Sequence, residues 1–250
     1  IRDSFNTMID QLQESHNTLE QKVEDRTREL REQKHMVEEA HKEITDSIKY
    51  AKRLQDAILP PISFVEELLP QSFVLFQPKD VVSGDFYWLE VVEEKVVAAV
   101  DTKKSASATA AKTTILLAAA DCTGHGVPGA MVSVVCSNAL QRTVNEFGIS
   151  EPGKILDKAR SLIIETFAKS DREVKDGMDI ALVAYSPETL TLTFSGANNP
   201  LWIVRKIEQL TKEEIANKDI LRDDNSALLE FKPNKQPVGL YAGMKDFQQE

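Results

Sequence analysis

Residues 1–59 carry a seven-residue repeat of apolar positions. The first position of the heptad is occupied by Ile9, His16, Val23, Leu30, Val37, Ile44, Ala51 and Ile58, and the fourth by Phe5, Leu12, Leu19, Arg26, Gln33, Ala40, Ser47 and Leu54. A sustained repeat of this period is typical of a left-handed coiled coil, and neither Gly nor Pro interrupts it before Pro60. The pattern therefore predicts a coiled-coil helix over residues 1–59. Because its apolar stripe needs a partner helix, we expect a homodimer.

Beyond Pro60 and Pro61 the apolar spacing changes to that of shorter elements. Val-rich and aromatic-rich stretches predict strands over residues 73–76, 85–92, 96–100, 115–120, 180–185, 190–195 and 201–205. Two helices are predicted between them, from about 129 to 145 and from 153 to 168. Strands, two helices and further strands indicate an α+β sandwich rather than alternating βαβ units. Residues 102–114 lack an apolar period, which predicts a mobile hairpin tip or an insertion.

Composition and charge exclude several classes of function. The formal net charge of −10 argues against a nucleic-acid partner, which would require a basic face. Cys122 and Cys136 have no disulfide-framework or CxxC spacing, so we expect two buried thiols and a cytoplasmic location. No apolar run approaches the roughly 18 residues that cross a bilayer. The chain begins at Ile1, however, so a sensor or membrane module upstream remains open.

Two aspartates with glycine neighbours are candidate ligands of a divalent cation. Asp85 follows Ser83 and Gly84 at the start of a predicted strand, and Asp121 ends another strand just before a glycine-rich turn. Carboxylates at strand ends suit hard cations, which prefer oxygen ligands. Two such ions about 3.5–4 Å apart can generate a hydroxide and hold a phosphoryl group. The spacing alone leaves a structural role for both aspartates open.

Several segments resemble, in order, the motifs of the PPM-type (PP2C-like) SpoIIE/RsbU serine phosphatases. They are the helix entering the catalytic domain (Arg53–Pro60), the two metal motifs (Pro78–Tyr87 and Ala120–Ala130), two core strands (Asp176–Leu182 and Gly196–Leu201) and a Pro-x-Gly turn (Pro237–Leu240). The resemblance covers about residues 50–240, and the segment around Asp121 is its most specific part. It implies a PP2C-like αββα sandwich over residues 60–250, preceded by the coiled-coil helix.

The resemblance also implies a chemistry. Asp85 and Asp121 would bridge two Mn²⁺ or Mg²⁺ ions, and the backbone carbonyl of Cys122 would be a further ligand. Water activated by the ions would hydrolyse phosphoserine or phosphothreonine on a regulatory protein, such as an antagonist of an anti-sigma factor. The coiled coil would relay the state of an upstream sensor, with Leu54, Ile58 and Leu59 at the switch.

The chain departs from the family pattern near its end. The remaining acidic ligands of the family, in a Thr-Asp-Gly strand and a late Asp-Asp motif, do not appear before Glu250. We therefore expect an incomplete domain without its last strands, with weak metal binding and low or absent activity. The alternatives to an enzyme are a non-catalytic pseudophosphatase or a coiled-coil scaffold that binds a signalling partner. For His125, contact with phosphate and stabilisation of the turn both remain open.

Overall fold

The computed structural model describes residues 2–95, 111–169, 175–212, 214, 221–223 and 225–250. The chain forms two compact units, Ile1–Tyr50 and Ala51–Glu250. Helix α1 (Arg2–Asp56) makes up the first unit, and its last turns belong to the second. The helix ends at Asp56, one turn before Pro60, as expected because a proline ring clashes with the carbonyl group four residues earlier in a helix. No helix among the described residues is both long enough and apolar enough to span a membrane.

The second unit contains further α-helices, a short 3-10 helix (Ile207–Gln209) and two antiparallel sheets in its described part. The elements are α2 (Ile62–Leu68), β1 (Phe86–Lys95), β2 (Ala111–Cys122), α3 (Gly126–Asn145), α4 (Pro152–Phe167), β3 (Gly177–Ser186), β4 (Thr191–Ala197), β5 (Leu201–Lys206), β6 (Leu221–Arg222), β7 (Ser226–Phe231) and β8 (Val238–Gly239). In the first sheet the strand order is β1-β2-β3-β4, and β8 pairs with the beginning of β3. In the second sheet the order is β5-β7-β6. This α+β architecture is the predicted fold class.

The main hydrophobic core lies between the first sheet and helices α3 and α4. Because side chains alternate between the faces of a strand, the even-numbered residues of β1, β2 and β3 face these helices. They include Phe86, Trp88, Leu116, Ala118, Ile180 and Leu182, which pack with Cys136, Leu140, Ile155 and Ile163 of the helices. The odd-numbered residues of the same strands face the other side, where Leu89 and Ile115 pack against Val65 of α2. Asp121 belongs to this second face.

Most of the predicted elements are present, with shifted ends. The two helices and the strands predicted at 85–92, 115–120, 180–185, 190–195 and 201–205 correspond to α3, α4, β1, β2, β3, β4 and β5. The prediction that residues 111–114 form a hairpin tip or an insertion is wrong, because they begin β2. The strand predicted at 96–100 and the rest of the insertion, 102–110, lie outside the described residues.

The predicted strand at 73–76 is wrong. Phe73 and Leu75 are exposed, whereas Val74 packs towards the sheet, so the alternation typical of a strand is present. The ring of Phe76 packs edge-on against Tyr87, with 5.7 Å between the ring centroids. However, none of the described strands pairs with this segment. The alternating exposure of residues 73–76 therefore shows only that one face of the segment is buried. The segment lacks the backbone pairing that defines a strand.

Candidate active site

Asp85 and Asp121 lie side by side at one end of the first sheet. Phe86 pairs with Ala120, so the next position along each strand places Asp85 opposite Asp121. Partial burial raises the pKa of Asp121, and a hydrogen bond with Asp85 and its charge raise that pKa further. Two carboxyl groups in such contact cannot both ionise readily unless a cation compensates their charge.

Glycines allow the loops that carry the two aspartates to touch. A Cβ atom added to Gly84 would lie 2.7 Å from the carbonyl oxygen of Gly124 and 3.2 Å from that of Cys122. Gly124 itself has a φ of +86°, which favours glycine. The Cys122 carbonyl oxygen is thus held beside the backbone that precedes Asp85. The structure therefore brings together all three groups that the sequence analysis proposed as ligands.

Thr123, in the loop that follows Asp121, forms hydrogen bonds with residues at the start of β3. Its hydroxyl group donates to Oδ1 of Asp176 at 2.9 Å, and its backbone N–H donates to the carbonyl oxygen of Gly177 at 3.0 Å. The N–H of Gly177 in turn donates to the Thr123 hydroxyl at 3.2 Å. The residues that follow Asp121 are therefore fixed from the β1 side and from the β3 side.

The last turn of α1 reaches the Asp85 loop through Gln55, whose side chain is buried. Gln55 Nε2 donates to the carbonyl oxygen of Ser83 at 2.6 Å and to Oγ of Ser133 in α3 at 3.0 Å. The N–H of Ser83 donates to Gln55 Oε1 at 3.0 Å, and Ser83 Oγ accepts from the N–H of Asp85. One amide group therefore fixes the backbone two residues before Asp85.

Sequence reasoning missed Gln55 because it looked for apolar contacts at the end of the helix. Of the residues it named, Leu54 and Ile58 are substantially exposed, and Leu59 packs at the edge of the core. The available sequence indication was a glutamine between these apolar residues, one turn before a pair of prolines. From sequence alone, a buried glutamine whose side-chain oxygen and nitrogen are both hydrogen-bonded cannot be distinguished from a solvent-exposed glutamine.

His125 contacts the neighbouring loop at the surface. Its Nδ1 lies 3.2 Å from Oδ2 of Asp80, and both side chains are exposed. His125 is the N-terminal capping residue of α3 but makes no side-chain capping hydrogen bond. The contact joins the loop after Asp121 to the loop before Asp85, which favours the interpretation that His125 stabilises the turn.

The two cysteines are buried thiols, as predicted. A hydrogen bond with the Cys136 thiol and burial together raise the pKa of the Cys122 thiol far above its ordinary value. A neutral, buried thiol is a poor nucleophile and a poor metal ligand. At residue 122, only the backbone carbonyl group is therefore a candidate ligand of the site.

Residues 111–232 match the family model of stage II sporulation protein E (SpoIIE). This segment, which runs from β2 to β7, is similar to the SpoIIE family of PP2C-like phosphatases. Among solved structures, the chain is similar to the SiaA-PP2C domain of Pseudomonas aeruginosa, with 24% identity and a TM-score of 0.59 over 84% of this chain and 67% of that one. That likeness shows the PP2C-like fold.

A second similar structure contains the PP2C phosphatase domain and a fragment of the regulatory domain of SpoIIE from Bacillus subtilis. Its identity to this chain is 16% and its TM-score is 0.42, over 68% of this chain and 38% of that one. A comparison with curated proteins finds no match.

PP2C-family phosphatases generally depend on Mn²⁺ or Mg²⁺, so this PP2C-like domain can be tested for donors that fit these ions. Its candidate donors are two carboxylates and a backbone carbonyl, all oxygen, which both ions prefer. Burial and, after it, the hydrogen bond and charge of Asp85 raise the pKa of Asp121, and a bound cation would favour the ionised carboxylate against all three effects. Within the described ranges, no group of three or more His, Cys, Asp or Glu side chains is placed to hold an ion. The donor atoms therefore fit the chemistry of these ions, and the two carboxylates, Asp85 and Asp121, are the side chains that could bind an ion directly.

Proposed function

We propose that this domain is a metal-dependent protein serine/threonine phosphatase of the SpoIIE/RsbU type. The observation that carries the proposal is the contact between Asp85 and Asp121 at the strand ends of a SpoIIE-family domain. Their carboxylates and the Cys122 carbonyl group would hold two Mn²⁺ or Mg²⁺ ions. When bound, the ions lower the pKa of water and neutralise charge on the phosphoryl group.

The residues of the chain have two tasks in this reaction. Asp85 and Asp121 must be deprotonated to bind a cation, so cation affinity rises with pH through the raised pKa of Asp121. The glycine contacts between the two loops keep the carboxylates and the carbonyl group together. Attack by water on phosphorus breaks the bond to the serine or threonine oxygen and releases phosphate, so no residue of the chain becomes phosphorylated.

For the substrate, we infer a phosphorylated regulatory protein, of the kind that antagonises an anti-sigma factor. The match to the SpoIIE family model supports a phosphoprotein substrate, and the resemblance to the SpoIIE/RsbU phosphatases suggests its regulatory role. Two buried free thiols agree with a reducing compartment, so we propose that the reaction occurs in the cytoplasm.

The first test is hydrolysis of p-nitrophenyl phosphate with excess Mn²⁺. Because late acidic ligands of the family pattern do not appear, we expect low activity in the unmodified chain. That activity should fall at least roughly 100-fold in Asp121→Asn, because the substitution removes a proposed ligand charge. Glu165→Gln is the matched control, since it removes one negative charge from the exposed surface of α4.

Equal and measurable activity in the unmodified chain and in Asp121→Asn would contradict the proposed mechanism. Manganese binding that Asp121→Asn abolishes, in a chain without hydrolysis, would favour the pseudophosphatase instead.

We also propose that α1 pairs with a second copy of itself as a coiled coil. The apolar heptad residues Phe5, Leu12, Leu19, Val23, Leu30, Val37 and Ile44 are all more than half exposed. Such a stripe on one long helix is the surface that coiled-coil pairing buries. The pairing would make the chain a homodimer and join the catalytic domain to a sensor upstream.

Light scattering should give a mass near twice the 28.0 kDa of one chain. Leu19→Glu together with Leu30→Glu should shift the protein to monomer, because buried unpaired charges destabilise a coiled-coil seam. Gln21→Glu, on the opposite side of the heptad, should leave the mass unchanged. A monomeric unmodified chain at micromolar concentration would contradict the dimer.

A further inference from the structure

Asp179 lies directly opposite Asp121 in the first sheet. The two residues are Cα partners in the pairing of β2 with β3. Directly opposed residues of antiparallel strands project from the same face, with their Cβ atoms about 4.5–5.5 Å apart. Because Asp85 opposes Asp121 from the β1 side, three aspartates form a row across the ends of β1, β2 and β3.

Such a row is unfavourable in an ordinary sheet. Like charges placed directly opposite each other destabilise a strand pair, and here the unfavourable placement occurs twice in succession. The neighbouring positions on the same face of β2 and β3 are occupied by the small residues Ala119 and Ala181, which are also partners. They line an open cavity of about 700 Å³ together with Asp85 and Asp121. The cavity leaves space for cations and water beside Asp85 and Asp121, the two members of the row that line it.

Asn198 fixes the orientation of Asp179. It follows β4 with a φ of +57°, a conformation that asparagine tolerates better than most residues. Asn198 Nδ2 donates to Oδ1 of Asp179 at 2.8 Å, and its backbone N–H donates to the carbonyl oxygen of Asn234 at 2.9 Å. The N–H of Asn234 donates in turn to the Gly196 carbonyl oxygen. Backbone hydrogen bonds between Asn234 and the end of β4 thus hold Asn198, whose side-chain amide orients Asp179.

We propose that Asp179 is a third carboxylate of the cation site and that Asn198 is its positioning residue. The inference rests on the proposed function of Asp85 and Asp121. Since no three acidic side chains in the described part of the chain are placed to hold an ion together, Asp179 would act on the cation through water and not by direct contact. Partners that act at this distance commonly change metal affinity by about 10- to 100-fold.

The test is titration of the full chain with Mn²⁺ by calorimetry, together with thermal unfolding in the absence of metal. Asp179→Asn keeps the acceptor for Asn198 and removes the charge. We expect it to weaken Mn²⁺ binding by about 10- to 100-fold without lowering the melting temperature of the metal-free chain, because it also removes a repulsion. Asn198→Ala should weaken binding in the same direction, and Glu165→Gln, the control on α4, should leave it unchanged.

The outcomes separate this inference from the proposed function. Unchanged Mn²⁺ affinity in Asp179→Asn, when Asp121→Asn abolishes binding, would overturn only the role of Asp179. A lower melting temperature of metal-free Asp179→Asn would also overturn it, since Asp179 would then be a structural residue. An unmodified chain that binds no Mn²⁺ would overturn both proposals.

Discussion

Replacing Gln55 by alanine is expected to lower the free energy of unfolding by about 3 kcal/mol, since each buried polar group left without a partner costs about 1–3 kcal/mol. The substitution removes three hydrogen bonds and leaves the N–H and the carbonyl oxygen of buried Ser83 without their amide partner. Because Ser83 also accepts from the N–H of Asp85, we expect Mn²⁺ binding to weaken as well. Urea denaturation at fixed protein concentration and Mn²⁺ calorimetry measure the two effects.

Lys52→Ala is the matched control for Gln55→Ala. Lys52 lies one turn earlier on α1 and forms an exposed ion pair with Asp56 at 3.0 Å, so its loss should change stability by less than about 0.5 kcal/mol. If the two variants unfold at the same urea concentration, the Gln55 amide does not hold the Asp85 loop. If only stability falls and Mn²⁺ affinity does not, the loop keeps its place without Gln55.

Periodicity predicted the parts of the fold in which one strong pattern governs a whole element. The heptad repeat gave the long helix, and the two helices after Asp121 follow from apolar faces that pack on the sheet. The short elements were missed. Helix α2 has one buried residue, Val65, which is too few to produce a periodic pattern. Strand β7 lies among polar stretches in which no apolar repeat is long enough to predict an element. Strand pairing was equally inaccessible, as the unpaired segment 73–76 shows.

The candidate site was predictable to the extent that glycines mark it. Asp85 and Asp121 stand beside Gly84 and Gly124, and the structure explains why, since those glycines touch. Asp179 was missed because it lies inside a strand between Met178 and Ile180, without a glycine on either side. The sequence did contain one indication, an acidic residue in an otherwise apolar strand. Only the register of β2 and β3 identifies Asp121 as its partner.

Gly129→Ala is expected to lower the free energy of unfolding by about 2–3 kcal/mol, in the upper range for adding a methyl group to a packed interior. Helix propensity alone predicts the opposite sign, since alanine in a helix is better than glycine by about 1 kcal/mol. In the first turn of α3, however, the new Cβ would lie 2.5 Å from the carbonyl oxygen of Gly124 and 3.2 Å from Cα of Gly84. Both obstacles are backbone atoms, which cannot rotate away as a side chain does.

Relief of that overlap must move the Gly124 carbonyl group in the Asp121 loop and press on Gly84 in the Asp85 loop. Mn²⁺ binding and phosphatase activity should therefore fall together with stability. Gly148→Ala is the control, because Gly148 has a φ of +64° and no atom within 4 Å of an added Cβ. It should cost about 1–2 kcal/mol through backbone strain alone and leave Mn²⁺ affinity unchanged. Urea denaturation measures the change in stability of both variants, and Mn²⁺ titration measures the change in their metal affinity. A Gly129→Ala protein that is more stable than the unmodified chain would mean that the two loops are not in contact, and the proposed ligands would then lose their shared support.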